Sequence, residues 1–122
     1  MGLTINYMES TDHFSAGSYK GFHLWRVELA RIVGIDLNEM GGFIKAGKPW
    51  TGSESFVELL THDDNEGQLY CRECEELVDD FEEWENTVLD AHERGSYFHI
   101  IYDSFWEMCA NVGNHGGHIE FA

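Results

Sequence analysis

The chain has 122 residues, 43% of them apolar and 14% aromatic, enough for one compact core and too few for two, so residues 1–122 read as a single domain. Twenty-three acidic residues against seven basic ones give a net charge of −16 at pH 7, which excludes direct nucleic-acid binding through a Lys/Arg surface and disfavours anionic membranes. No apolar run approaches the roughly 18 residues of a membrane span, the opening MGLTINYMESTD lacks signal-peptide character, and Cys71, Cys74 and Cys109 make no secreted disulfide framework; a cytoplasmic protein with reduced thiols is expected.

In chain order, Leu3, Ile5 and Tyr7 alternate with smaller or polar residues, the period of a short half-buried strand. Phe22, Trp25, Leu29 and Ile32 recur at helical spacing, predicting a helix from Ser18 to Val33 that stops at Gly34. Residues 41–53 hold four glycines and Pro49 and read as a loop with Phe43 and Trp50 folded onto the core. Ser53 then caps a helix to Thr61 that buries Phe56, Leu59 and Leu60. Leu77, Phe81, Trp84 and Val88 mark the apolar stripe of a long amphipathic helix over Arg72–His92. Ser96 caps a last helix carrying Phe98, Ile101, Phe105 and Met108, and Gly113–Gly117 releases the chain into His118–Phe121, which alternates like a strand. Pairing that strand with the N-terminal one gives the expected architecture: α+β, mostly α, with three or four helices packed through Trp25, Phe56, Phe81, Trp84, Phe105 and Trp106 against a small sheet formed by the two termini.

The charge is unevenly placed. Residues 1–50 hold five acids and five bases, while residues 51–122 hold eighteen acids against Arg72 and Arg94. Glu73, Glu75, Glu76, Asp79, Asp80, Glu82, Glu83 and Glu85 crowd thirteen positions of the long helix, about 20 Å at 1.5 Å per residue, or roughly one charge per 2.5 Å against one per about 1.7 Å of duplex DNA. On composition alone, an ordinary solvated face tuned for solubility, or adaptation to salt, is the simpler account of such a run. Exposed helices, however, usually interleave Glu with Lys at i,i+4, and this one does not. Self-repulsion without local compensation points to a basic partner.

The segment His62–Glu73 has the spacing of an EF-hand loop: His62, Asp64, Glu66 and Glu73 at positions 1, 3, 5 and 12, Gly67 at 6 and Leu69 at 8. The imidazole at position 1 suits zinc better than calcium. The alternative is a tight turn that needs Gly67 for a positive φ. No cofactor is required by the rest of the sequence; calcium or zinc at this loop is the one candidate.

Met1-Gly2-Leu3-x-Ile5, Phe22-His23-x-Trp25-Arg26, Gly34-Ile35-Asp36-Leu37, the loop His62-x-Asp64-x-Glu66-Gly67-x-Leu69 and the closing Ile119-Glu120-Phe121 resemble a family of small uncharacterised bacterial and bacteriophage proteins that begin MGLDI, carry an HSDCDG-type acidic loop and end in a VEF-type strand. The loop departs from that pattern at Asp63, Asn65 and Glu66. The resemblance implies a phage-type accessory protein and supplies no reaction.

Cys71-x-x-Cys74 has no second pair to complete a zinc site and no thioredoxin-like context. His115 and His118 lie in a glycine-rich turn. No GxSxG, P-loop, GxGxxG or HExxH is present, so no enzyme is expected. The leading expectation is a non-enzymatic, phage-type binder that inhibits a host nucleic-acid-handling defence system, of the anti-CRISPR or anti-restriction kind, by offering its eight helix acids as a nucleic-acid mimic to a basic host protein that normally binds nucleic acid. Two alternatives stand beside it: a sponge for a nucleotide immune signal, built on His23, Trp25 and Arg26 in an oligomer, and a metal-binding module at His62, Asp64, Glu66 and Glu73. The oligomeric state stays open.

Overall fold

The computed structural model describes residues 2–8, 10–61 and 67–122. Its elements run β1 (Gly2–Tyr7), β2 (His13–Ser18), α1 (Tyr19–Ile32), a 3-10 turn (Leu37–Glu39), α2 (Val57–Leu60), β3 (Gln68–Tyr70), α3 (Cys71–Ala91), α4 (Tyr97–His115) and β4 (His118–Phe121). This is a mostly helical α+β fold.

The termini pair as expected: Ile5 lies opposite Phe121 and Tyr7 opposite Ile119 in an antiparallel ladder. The sheet is larger than two strands, with order β2-β1-β4-β3. Its inner positions, Leu3, Ile5, Ala16, Leu69, Ile119 and Phe121, are buried under the helices, whereas Ser15, Gln68 and Tyr70 on the other face are exposed.

Local chemistry sets the helix limits. Ser18 accepts the Gly21 N–H at 2.9 Å to open α1, and Gly34, at φ 87°, lets the chain turn out after it. Ser96 opens α4 by accepting the His99 N–H. Two expectations need correction. The helix expected over Ser53–Thr61 is only Val57–Leu60: the Glu54 carboxylate takes the N–H groups of Thr51 and Gly52, holding a turn where a helix would begin, and Phe56 stands at φ 60°. Gly113 does not release the chain, because α4 continues to His115.

Helices α3 and α4 pack antiparallel, with the Tyr102 hydroxyl donating to the Phe81 carbonyl at 2.6 Å and Cys71 Sγ reaching the Val112 carbonyl at 3.5 Å. Burial pushes the Tyr102 phenol well above its ordinary range. Phe22, Trp25, Phe56, Phe81 and Phe105 form the aromatic centre of one core drawn from helices and sheet alike. Trp84 and Trp106, expected there too, are only half-buried: the Trp84 indole donates to Ser55 Oγ at 3.0 Å, and Trp106 sits at the outer edge of the α3/α4 seam.

Candidate functional site

Helix α3, 21 residues long, spans about 31 Å at 1.5 Å per residue. Cys74, Leu77, Phe81 and Val88 face the core, so the acids fall on the remaining three sides and acquire different surroundings.

On the flank facing α2 the acids have internal work. Asp80 Oδ2 accepts the Phe56 N–H at 2.9 Å, capping a residue whose left-handed backbone leaves that donor outside any helix. Burial holds the Asp80 carboxyl above its usual range, against the opposing Phe56 hydrogen bond and with the charges of Glu83, Asp79 and Glu76 adding to it. Glu58, on α2, is pushed up to about 7 by burial, then by a hydrogen bond to the Glu76 carboxyl and the charges of Glu76 and Asp80. Glu73 turns back to accept the Tyr70 N–H at 3.0 Å, closing the N-terminal turn of its own helix.

On the outer side and the flank facing α4, Glu75, Asp79, Glu82 and Glu83 are exposed and form no ion pair among the described residues. Among the described residues the one ion pair of the eight acids is Glu76 with Arg72, at 3.9 Å with both side chains open to solvent, worth little in water. Glu85 is half-buried. Glu75, Asp79 and Glu82 follow i,i+4,i+7 spacing, so they form a single row. That row borders a groove of about 500 Å³ against α4, lined also by Val78, Trp106 and Ala110.

The residues of the sponge reading do not converge. Trp25 is buried and its indole donates to the Phe98 carbonyl at 3.1 Å. Arg26 is 3% exposed, reaches the Leu59 carbonyl at 3.3 Å, and lies 4.9 Å over the Phe22 ring; it fastens α1 to α2 rather than facing solvent. His23 is half-buried beside Phe43. Of the metal-loop residues, His62, Asp64 and Glu66 lie outside the described residues, and Glu73 has the capping role above. Cys74 is buried and Cys71 half-buried at the start of α3, and the Cys109 thiol, hydrogen-bonded to Cys74 and buried, is raised well above its ordinary value, the opposite of a reactive thiolate. His115 is exposed at the end of α4, whereas the His118 ring lies tilted beside Tyr70 in the sheet. Among the described residues no three His, Cys, Asp or Glu side chains gather as a metal site, and no helix is long and apolar enough to cross a membrane.

Sequence reasoning named the acids but missed Val78, Trp106, Ala110 and Gly113 as their neighbours. The signal was present in the i,i+4,i+7 spacing of Trp106, Ala110 and Gly113, two small residues following an indole on one face of the last helix. No family model, curated protein or solved structure matches the chain.

Proposed function

We propose that this protein acts by stoichiometric binding rather than catalysis, presenting the outer face of α3 to a basic site that its partner uses for DNA or RNA. In its most concrete form it is a phage-type inhibitor working in the cytoplasm of a bacterial host against a nucleic-acid-handling defence system, such as a CRISPR effector or a restriction enzyme. The observation that carries this reading is the uncompensated row of Glu75, Asp79 and Glu82 with Glu83 beside it: exposed, without an ion pair among the described residues, and therefore available to neutralise cations on another surface. The helix is about as long as nine base pairs of duplex at 3.4 Å each.

The test is capture on immobilised protein from a bacterial lysate, followed by displacement with duplex DNA and with salt. The expected result is retention of a basic nucleic-acid-binding protein that both agents release, and loss of retention of more than a hundredfold when Glu75, Glu82 and Glu83 become Gln and Asp79 becomes Asn, with the melting temperature unchanged or raised. Asp80 and Glu73 are left intact because each has a structural bond. Retention by the neutralised variant, or indifference to duplex DNA, overturns the reading.

A further inference from the structure

We propose that the groove between α3 and α4 receives an arginine side chain of the basic partner, its guanidinium lying on the Trp106 indole within reach of Glu75, Asp79 and Glu82. This rests on the reading above and gives it an anchor point.

The acids alone would be a solvated helix face. What distinguishes this flank is its floor. Trp106 is half-buried, with Phe81 parallel to it at 6.2 Å and Tyr102 edge-on at 6.2 Å, so the ring is fixed in place. Its indole N–H has no acceptor among the described residues, unlike those of Trp25, Trp50 and Trp84, which donate to the Phe98 carbonyl, the Gly41 carbonyl and Ser55 Oγ. Val78 on α3 and Ala110 on α4 extend the apolar strip beside it. Among the described residues no Lys or Arg lines the groove, and the bond its three carboxylates receive there is the weak one from Cys71 Sγ to Glu75 Oε1 at 3.5 Å. At Gly113 an added Cβ would come within 3.3 Å of Glu75 Cγ; the glycine leaves room at the Glu75 end.

An apolar, aromatic floor beside a row of carboxylates selects a cation that can shed water and stack. Guanidinium does both: it is planar, weakly hydrated, able to lie on an indole while its N–H fork meets a carboxylate. Ammonium is compact and strongly hydrated, and satisfies only the charge. Residues at i,i+4,i+7 have their Cβ atoms about 5–6 Å apart per step, a spacing that suits a long side chain laid along the row.

The probe is the capped peptide Gly-Arg-Gly-Arg-Gly, with lysine and citrulline counterparts, titrated at low salt while the indole N–H resonances are followed by NMR; loss of one resonance in Trp106→Phe assigns Trp106. The arginine peptide is expected to move the Trp106 signal and to bind more tightly than the lysine peptide by about three- to thirty-fold, the range of a cation–π contact, and the citrulline peptide to leave it unmoved. Combined Glu75→Gln, Asp79→Asn and Glu82→Gln should weaken the arginine peptide at least tenfold. Trp106→Leu should weaken it by three- to thirty-fold, with Trp106→Phe between the two; Trp106→Phe keeps a ring against Phe81 and guards against loss of fold. Equal binding of arginine and lysine peptides with a silent Trp106 signal overturns the inference. If Trp106→Leu leaves capture of the DNA-displaceable partner intact while the acid substitutions abolish it, the groove falls and the acidic-face reading stands. If the peptide behaves as expected but duplex DNA displaces no captured protein, the nucleic-acid-site reading falls and the arginine groove stands.

Discussion

Asp79 and Asp80 are neighbours in the chain and do different work. A turn of 100° per residue sends Asp80 toward α2, where it caps the Phe56 backbone, and Asp79 toward the α4 groove, where it meets no cation among the described residues. The same contrast holds along the helix: Glu73, Glu76 and Asp80 are engaged with the molecule's own backbone and charged side chains, whereas Glu75, Asp79 and Glu82 border the groove and, among the described residues, meet only the Cys71 thiol, 3.5 Å from Glu75. An acidic run is therefore two populations, one that holds the fold and one that the fold holds out, and its composition gives no hint of the division.

The sharpest way to break this contrast is to remove each aspartate in turn. Asp80→Ala leaves the Phe56 N–H without its acceptor and should cost about 1.5–3 kcal/mol, the range for a hydrogen bond to a charged group, partly offset by relief of repulsion from Glu83, Asp79 and Glu76. Asp79→Ala should stay within about 0.5 kcal/mol of the native protein. Asp80→Asn keeps an acceptor and sheds the charge, so it should fall close to native stability. Thermal unfolding at one pH separates the three; equal losses for Asp79→Ala and Asp80→Ala would erase the distinction.

A smaller effect follows from pH. The Glu58 carboxyl is pushed up to about 7 in the fold from an ordinary value of 4.5, so between those values the folded protein binds more protons than the unfolded chain, and stability falls as pH rises from about 4.5 to 7 and then levels. Because the group is partly solvated, the loss should be on the order of 1 kcal/mol after screening. Glu58→Gln should flatten that slope and raise the melting temperature above pH 7. Glu28 acts in a lower window with the opposite sign: a hydrogen bond from Arg31, aided by one from His92, holds its carboxyl down to about 2 despite its partial burial, and its contribution is lost as pH falls from 4.5 toward 2. A melting profile of Glu58→Gln with the native slope would remove the carboxyl crowding from the α2 flank.

The parts of the fold legible in the sequence are those fixed by short-range repetition. Ser18, Gly34 and the stripe between them delimit α1; Leu77, Phe81 and Val88 announce α3; alternation at both termini anticipates the β1/β4 pair. The rest depends on partners far away in the chain. Strand β2 reads His-Phe-Ser-Ala-Gly-Ser, a weak strand former on its own, and is held by β1, by Phe14 packed edge-on to Phe105, and by the Tyr97 hydroxyl donating to the Ala16 carbonyl at 2.7 Å. The delayed start of α2, set locally by the Glu54 turn, also draws on Asp80, 24 residues downstream, which accepts the Phe56 N–H. Of the site, the acids were visible as composition, but their sorting was not, because it needs the placement of α2 and α4 around α3. Arg26 shows the same limit from the other side: a cation beside aromatic residues suggests a ligand pocket, and the tertiary fold instead puts it against the carbonyls that end α2.

The finest test of the two flanks is one methyl group. Gly113 is helical and lies opposite Glu75, and alanine there would be expected to stabilise α4 by about 0.5–1 kcal/mol through lower backbone entropy in the unfolded chain. The added Cβ would meet Glu75 Cγ at 3.3 Å, a contact tight enough to require movement. Glu75 is exposed and has no ion pair among the described residues; swinging its side chain outward gives up only the weak bond from Cys71 Sγ at 3.5 Å, so the net change should remain a small gain in melting temperature. The displaced carboxylate and the new methyl would both narrow the groove at its Glu75 end. Gly113→Ala should therefore make the protein slightly more stable and its hold on an arginine peptide weaker by a few fold, two changes of opposite sign from one substitution. A stability gain with unchanged peptide affinity would place the guanidinium nearer Glu82 and away from Glu75; a stability loss would mean that Glu75 is held in place after all, and that the α4 flank is less idle than its missing ion pairs suggest.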